Sequence, residues 1–259
     1  MVPVRRRRDT TLRCVTSFAE TAKAGTELLV ITDADDPSYD GVAWPAGVRA
    51  CVQERLPVLP KVNRQAMEAA GQHKAIFYVG DDCVFQTPGW DEIMLDALKG
   101  MGGTGILYPD DKRRTDIPEH YFVSADIIGA LGWFSWPDPA MNMYYIDNIW
   151  ADIGRRAGCL KLVPEAVIEH RHYSVCEDVP YDEIYQSGEA WGPGDAQAYQ
   201  AWRRDRMTAD VTTVKALLAA KGAGYKLTIR GANGIAGHGA DAGTPGAVRE
   251  AAEVLQGNH

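Results

Sequence analysis

Short apolar runs recur along the chain, and each passes directly into a knot of acids. Leu28-Leu29-Val30-Ile31-Thr32 meets Asp33-Ala34-Asp35-Asp36, Ile76-Phe77-Tyr78-Val79 meets Gly80-Asp81-Asp82, and Ile106-Leu107-Tyr108 meets Pro109-Asp110-Asp111. Runs this short, continuously apolar and bounded by turn residues, predict strands buried on both faces. Helical stretches lie between them. Lys61–Ala70 offers Val62, Ala66 and Ala69 to a core, and Asp91–Lys99 follows the turn Pro88-Gly89-Trp90 with Met94, Leu95 and Leu98 on its apolar side. A fourth strand, Leu162 through Ile168, ends in Glu169-His170-Arg171-His172. Before it, Ile146, Ile149, Trp150, Ile153 and Ala157 keep the spacing of an amphipathic helix that stops near Gly158. Strands alternating with helices predict an α/β protein, its mainly parallel central sheet flanked by helices and joined by right-handed crossovers.

The pattern loosens after His172. Cys176 to Asp195 reads as a loop rich in Gly, Pro and acids, with a helix from Ala196 to about Arg206 and another from Val211 to Lys221. Beyond Gly222 the chain is rich in Gly and Ala and predicts little structure, apart from a terminal helix over Pro245–Gln256. The expected organisation is a single domain over 1–206 and a C-terminal helical extension with a Gly/Ala-rich tail over 207–259.

Composition leaves that picture intact. A chain of 259 residues, 46% hydrophobic and 24% charged, has the makings of one large core. No apolar run reaches the roughly 18–20 residues that span a bilayer, and four arginines follow Met-Val-Pro-Val with no apolar stretch behind them. Neither a membrane segment nor a signal peptide is expected. The five cysteines are scattered and never form Cys-x-x-Cys, which fits reduced thiols in the cytoplasm. A net charge of −8 argues against gripping nucleic acid or anionic membrane by global attraction. Two local basic runs, Arg5–Arg8 and Lys112-Arg113-Arg114, read either as solvated surface or as contacts for a pyrophosphate or a polyanionic acceptor.

Candidate chemistry follows from strand direction. In parallel sheets the carboxyl ends of the strands fall on one edge, where ligands bind, so the three acidic knots are expected on a common rim. Crowded carboxylates repel, and a divalent cation relieves that repulsion. Asp and Gly also punctuate strand ends simply as turn formers. His170 and His172, two apart on a strand, would point the same way, either as metal ligands or as hydrogen-bonding residues. Asp147, in the first turn of its helix, reads as a macrodipole partner or as a base aimed at a pocket.

Four of these segments, in this order, resemble the nucleotide-sugar-dependent glycosyltransferases of the GT-A fold, particularly small family 2-like and phage-encoded enzymes. They are Val2-Pro3-Val4-Arg5-Arg6, Asp33 with Asp35, Val79-Gly80-Asp81-Asp82-Cys83, and Tyr145-Ile146-Asp147-Asn148 through Gly158, followed by the late Glu169-His170-Arg171-His172. The resemblance covers roughly Val2 to Tyr199 and implies a Rossmann-like GT-A fold. It implies that Pro3, Arg5, Asp33, Asp35, Asn63 and Asp81 bind the donor nucleotide. Asp82, with His170 and His172, would hold a divalent metal, Mn2+ in preference to Mg2+, and His170 rather than His172 is favoured. Asp147 would be the catalytic base, and Asp110, Asp111 and Trp133 would meet the acceptor. Gly80 stands where the family's Asp-x-Asp has its first acid.

The reaction implied is transfer of a sugar from a nucleoside-diphosphate sugar to an acceptor hydroxyl. A hydroxymethylated base in phage DNA is one acceptor the resemblance brings forward. Two rivals use the same residues: a nucleotidyltransferase acting on a sugar phosphate, which would normally carry a Gly-rich phosphate loop near its N-terminus, and a non-catalytic nucleotide- or sugar-binding module that stacks its ligand on aromatics such as Trp133.

Overall fold

The structure is a computed structural model, and it describes residues 1–222. The Pro245–Gln256 helix and the Gly/Ala-rich tail lie outside the described residues. Strand β1 (Val2–Pro3) is followed by helix α1 (Arg8–Thr21), β2 (Leu28–Asp33) and β3 (Val48–Gln53), which pair in parallel in the order β1-β2-β3. Strand β2 is enclosed throughout: all six of its residues are buried, as its unbroken apolar run requires. Helix α2 (Val58–Ala70) then leads to β4 (Ala75–Phe77).

A second sheet holds β4, β5 (Cys83–Phe85), β6 (Ile106–Asp110), β7 (Phe122–Ser124) and β8 (Leu160–His170), in the order β4-β7-β6-β8-β5. It is mixed: β6 and β8 run parallel, whereas β7 opposes both β4 and β6, and β5 opposes β8. The parallel character predicted from alternation thus belongs to the first sheet and to the β6–β8 pair. Strands β5 and β7 have three residues each, too few for a periodic signal to announce them. The two sheets lie side by side just past β4, where Val79 N–H donates to the Met1 carbonyl at 3.1 Å and Tyr78 N–H to that of Tyr121 at 3.0 Å.

Helices α3 (Trp90–Gly100), α4 (Ala125–Leu131), α5 (Ile146–Ala157), α6 (Glu183–Glu189), α7 (Gly192–Asp205) and α8 (Met207–Ala220) complete the described chain. Helix α5 buries Ile146, Ile149, Trp150 and Ile153, the stripe read from sequence, and ends at Gly158 in the left-handed conformation that glycine adopts without strain. Trp150 is fully buried against Trp133, with ring centroids 4.8 Å apart, and its indole N–H donates to the Phe134 carbonyl at 3.1 Å. Burying such an aromatic contributes about 2–3 kcal/mol. Helix α8 packs on α4 and α5 through Val211, Val214 and Leu218. Among the described residues, no helix is long and apolar enough to cross a membrane.

Asp195, fully buried in the first turn of α7, fixes the approach to α5. Its carboxylate accepts from the backbone N–H of Asn142, Met143 and Tyr144, each at 2.8 Å, and from the Asn142 side chain at 3.1 Å. The next residue, Tyr145, has φ of 69°, an uncommon value for a side chain of this size, and opens α5 from the left-handed region.

Candidate active site

Antiparallel pairing of β5 with β8 brings the main site together. Cys83 lies opposite His170, and Arg171 N–H donates to the Asp82 carbonyl at 2.9 Å, so Asp82 and His170 become neighbours although 88 residues separate them. His170 Nε2 lies 3.3 Å from Asp82 Oδ1, and its Nδ1 lies 3.0 Å from Glu119 Oε2. From the other side, Tyr185 of α6 donates its hydroxyl to Asp82 Oδ2 at 2.7 Å. The Arg7 guanidinium stands 3.5 Å from Asp81, 3.8 Å from Asp82 and 2.6 Å from Asp182, and covers the Tyr185 ring at 3.8 Å.

Gly80 has a steric reason to be glycine. A Cβ built there would stand 2.6 Å from Asp82 Oδ1, the oxygen already held by His170. The family's first acid would therefore displace the second in this backbone, and the departure from Asp-x-Asp keeps Asp82 in place.

These groups floor a cavity of about 570 Å³, within the range of small-molecule and cofactor sites. Pro3, Arg5, Asp33 and Lys61 line it, with Asp33 buried between Arg5 at 3.0 Å and the almost fully buried Lys61 ammonium. So do Asp81, Asp82, Arg7, His170 and His172, together with Tyr144, Tyr145, Asp147 and Asn148. Of the residues singled out in the sequence, Pro3, Arg5, Asp33, Asp81, Asp82, Asp147, His170 and His172 share this one wall.

The others stand elsewhere. Asp35 is surface-exposed and paired with Arg5 at 2.8 Å. Asn63 uses its side-chain carbonyl to accept from Phe134 and Ser135 N–H, at 2.7 and 3.2 Å. Trp133 packs in the core, Asp110 holds Lys112, and Asp111 accepts from the N–H groups of Arg113 and Arg114 while its own carbonyl accepts from His170 N–H. Arg7, Lys61, Glu119, His120 and Tyr185 also line the cavity. Of these, Arg7 lay in a noted basic run; Glu119, His120 and Tyr185 lie in stretches with no periodicity to mark them.

The electrostatics are those of a site short of positive charge. Burial, followed by the neighbouring Asp82 charge, pushes Asp81 up to about 7. Burial alone would raise Asp82 as well, but the charge and hydrogen bond of His170 hold it well below the usual carboxylate range. His170 rises to about 10 because the attraction of Asp82 and Glu119 outweighs its burial. A protonated imidazole thus sits between two carboxylates. Burial, then repulsion from Glu119, lifts Asp147 to about 6. His120, buried beside the Cys83 thiol at 3.1 Å, is lowered to about 3 by burial and then by His170. Asp111, His120 and His170 also bring ligand atoms within 4.8 Å of one another.

The donor set suits a hard divalent ion. Two cis ligands at about 2.1 Å from an octahedral ion are about 3.0 Å apart, close to the 3.3 Å between Asp82 Oδ1 and His170 Nε2. Carboxylate oxygen with imidazole nitrogen is a mixture Mn2+ accepts readily.

No protein-family model matches the sequence, and a search of curated proteins returns no match. Solved structures do resemble it. The crystal structure of GalNAc-T7 with UDP, GalNAc and Mn2+ superposes with a TM-score of 0.53 at 11% identity, over 85% of this chain and 54% of that one. TarS of S. aureus superposes with a TM-score of 0.51 at 10% identity, over 88% of this chain and 43% of that one. This chain therefore spans about half the length of each of these two structures. Its fold is the GT-A fold of nucleotide-sugar glycosyltransferases, as the order of its motifs implied.

Proposed function

We propose that the chain is a metal-dependent glycosyltransferase that moves a sugar from a nucleoside-diphosphate donor to an acceptor hydroxyl. The observation that carries this reading is the Asp82–His170 pair, at ligand spacing in a cavity that Arg5, Asp33, Lys61 and Asp147 also line. The GT-A fold supports it, as does GalNAc-T7, whose structure holds UDP, GalNAc and Mn2+.

In this reading Pro3, Arg5 and Asp33 receive the nucleoside, with Lys61 fixing the Asp33 carboxylate. Asp82 and His170 hold the metal, Mn2+ in preference to Mg2+, and His172 borders it. A bound divalent ion supplies Lewis-acid neutralisation of the charge that develops on the leaving diphosphate. Arg7 adds a fixed cation on the same side, able to turn from Asp182 to a phosphate oxygen. Asp147 takes the proton from the attacking hydroxyl, a role its raised pKa suits. The sugar carbon passes through an oxocarbenium-like state beside Tyr144, Tyr145 and Tyr185, which line the cavity.

Asp110, Asp111 and Trp133 do not line the cavity, so we assign the acceptor side to Tyr144, Tyr145 and Asn148 around Asp147. The basic run beside it is already engaged: Lys112 pairs with Asp110, Arg113 with Glu119 and Arg114 with Asp116, each at 2.7 Å. A DNA backbone would have to displace a carboxylate from each, which weighs against a hydroxymethylated base as acceptor and favours an uncharged hydroxyl compound.

A thermal-shift screen of nucleoside diphosphates with and without Mn2+ tests metal and donor together, because a ligand of the native state raises its apparent stability. Stabilisation by a nucleoside diphosphate that requires Mn2+ is the expected outcome. Absence of any shift across all nucleotides would sink the reading. Product analysis separates the rival nucleotidyltransferase, which releases pyrophosphate instead of a nucleoside diphosphate.

A further inference from the structure

His170 can bind a cation only through a nitrogen that carries no proton, and its two nitrogens face different partners. Nε2 faces Asp82 and Nδ1 faces Glu119 Oε2 at 3.0 Å. An ionised carboxylate accepts and never donates, so Glu119 keeps a proton on Nδ1, and Nε2, whose own proton faces Asp82, is the nitrogen on which a cation would take that proton's place. Glu119 is itself held: Arg113 donates to its other oxygen, Oε1, at 2.7 Å, and both side chains are largely buried. Arg113 in turn is fixed through its backbone N–H by Asp111 at 2.8 Å. His120 packs edge-on to the His170 ring, with centroids 4.7 Å apart, and limits its rotation.

We propose that Glu119 is a positioning residue for the metal: oriented by Arg113, it sets the tautomer of His170 so that Nε2 completes the divalent-cation site with Asp82. The inference rests on the metal-dependent reading given above and goes beyond it, because Glu119 need touch neither metal nor donor. Carboxylate–imidazole–metal relays of this kind tune affinity by about 10- to 100-fold.

The orientation of Arg113 makes the proposal specific. Glu119 must accept on both oxygens, one from Arg113 and one from His170. In Glu119→Gln there is a single acceptor oxygen, and the charged guanidinium claims it. The amide NH2 then faces His170 Nδ1 and can only donate to it, so the ring keeps its single proton on Nε2, the nitrogen the cation needs. Removing the guanidinium as well, in Glu119→Gln/Arg113→Leu, frees the amide to turn its oxygen toward Nδ1–H.

The test is titration of the full chain with Mn2+ alone, following the free ion by electron paramagnetic resonance, with 15N spectra of the His170 ring recorded on the metal-free proteins. Glu119→Gln is expected to weaken Mn2+ binding about 10- to 100-fold and to leave the ring protonated on Nε2 alone. The double variant is expected to recover part of the affinity and the proton on Nδ1, a rescue that a packing role would not give. Wild-type affinity with an unchanged His170 spectrum in Glu119→Gln overturns this inference alone, as does a double variant weaker than the single one. A wild-type protein that binds no Mn2+ overturns it together with the metal reading.

Discussion

Tyr185 donates its hydroxyl to Asp82 on the oxygen opposite the one that His170 approaches, so the proposed metal carboxylate is held from both sides. The hydrogen bond draws on carboxylate charge that a cation at Oδ1 would otherwise have to itself. Tyr185→Phe, which keeps the ring beneath Arg7, should therefore raise Mn2+ affinity by about five-fold, the equivalent of about 1 kcal/mol. Weaker binding in an Mn2+ titration would show instead that the hydroxyl supports the ligand.

Asp82→Asn should abolish Mn2+-dependent donor turnover while leaving the fold in place, because the amide keeps the shape of the side chain and loses its charge. Nucleoside diphosphate release measured before and after chelation gives the check. Turnover that survives thorough chelation in the wild-type protein would contradict the assignment.

Asp147→Asn should lower turnover by about 10²–10⁴-fold, the usual contribution of general-base assistance. In the wild-type protein the rate should rise with pH through about 6, where the raised carboxyl ionises, and the variant should lose that limb. The stability effect has the opposite sign. The folded state holds this proton more tightly than the unfolded state, so the contribution of Asp147 to stability falls as pH rises from about 4 to about 6. Urea melts of the two proteins across that window should diverge accordingly.

Asp195→Ala should destabilise the fold by about 3 kcal/mol, because four donors of the Asn142–Tyr144 turn lose their acceptor in a dry interior. The midpoint of urea unfolding reports it. A loss below about 0.5 kcal/mol would mean that water replaces the carboxylate.

Where the sequence carried periodic signals, the fold could be read from it. The runs at Leu28, Ile76, Ile106 and Leu162 are strands, and the stripe from Ile146 to Ala157 is α5 with the boundaries its spacing predicted. Strands β5 and β7 escaped because their length falls below one detectable period, and β3 because its pattern is half exposed, with Val52 facing solvent. Helix α6 lay hidden in a stretch that reads as loop, and with it Tyr185. At the site, what could be foreseen was the acids and imidazoles at strand ends. What could not was the pairing of β5 with β8, which decides that His170 meets Asp82, and the loop that returns Glu119 behind it. Asn63 shows the limit of carrying a role over by motif order alone: its side chain caps the backbone at Phe134 and Ser135.

The seam between the two sheets, closed at Met1 and Val79, runs beneath the cavity, with Pro3 and Asp33 contributed from one side and Asp82 and His170 from the other. A molecule that fills the cavity is therefore a cross-brace between two blocks of secondary structure. Its grip would tie their opening into one event, so amides in β2 and in β8 should slow their exchange with solvent deuterium together when donor and Mn2+ are added.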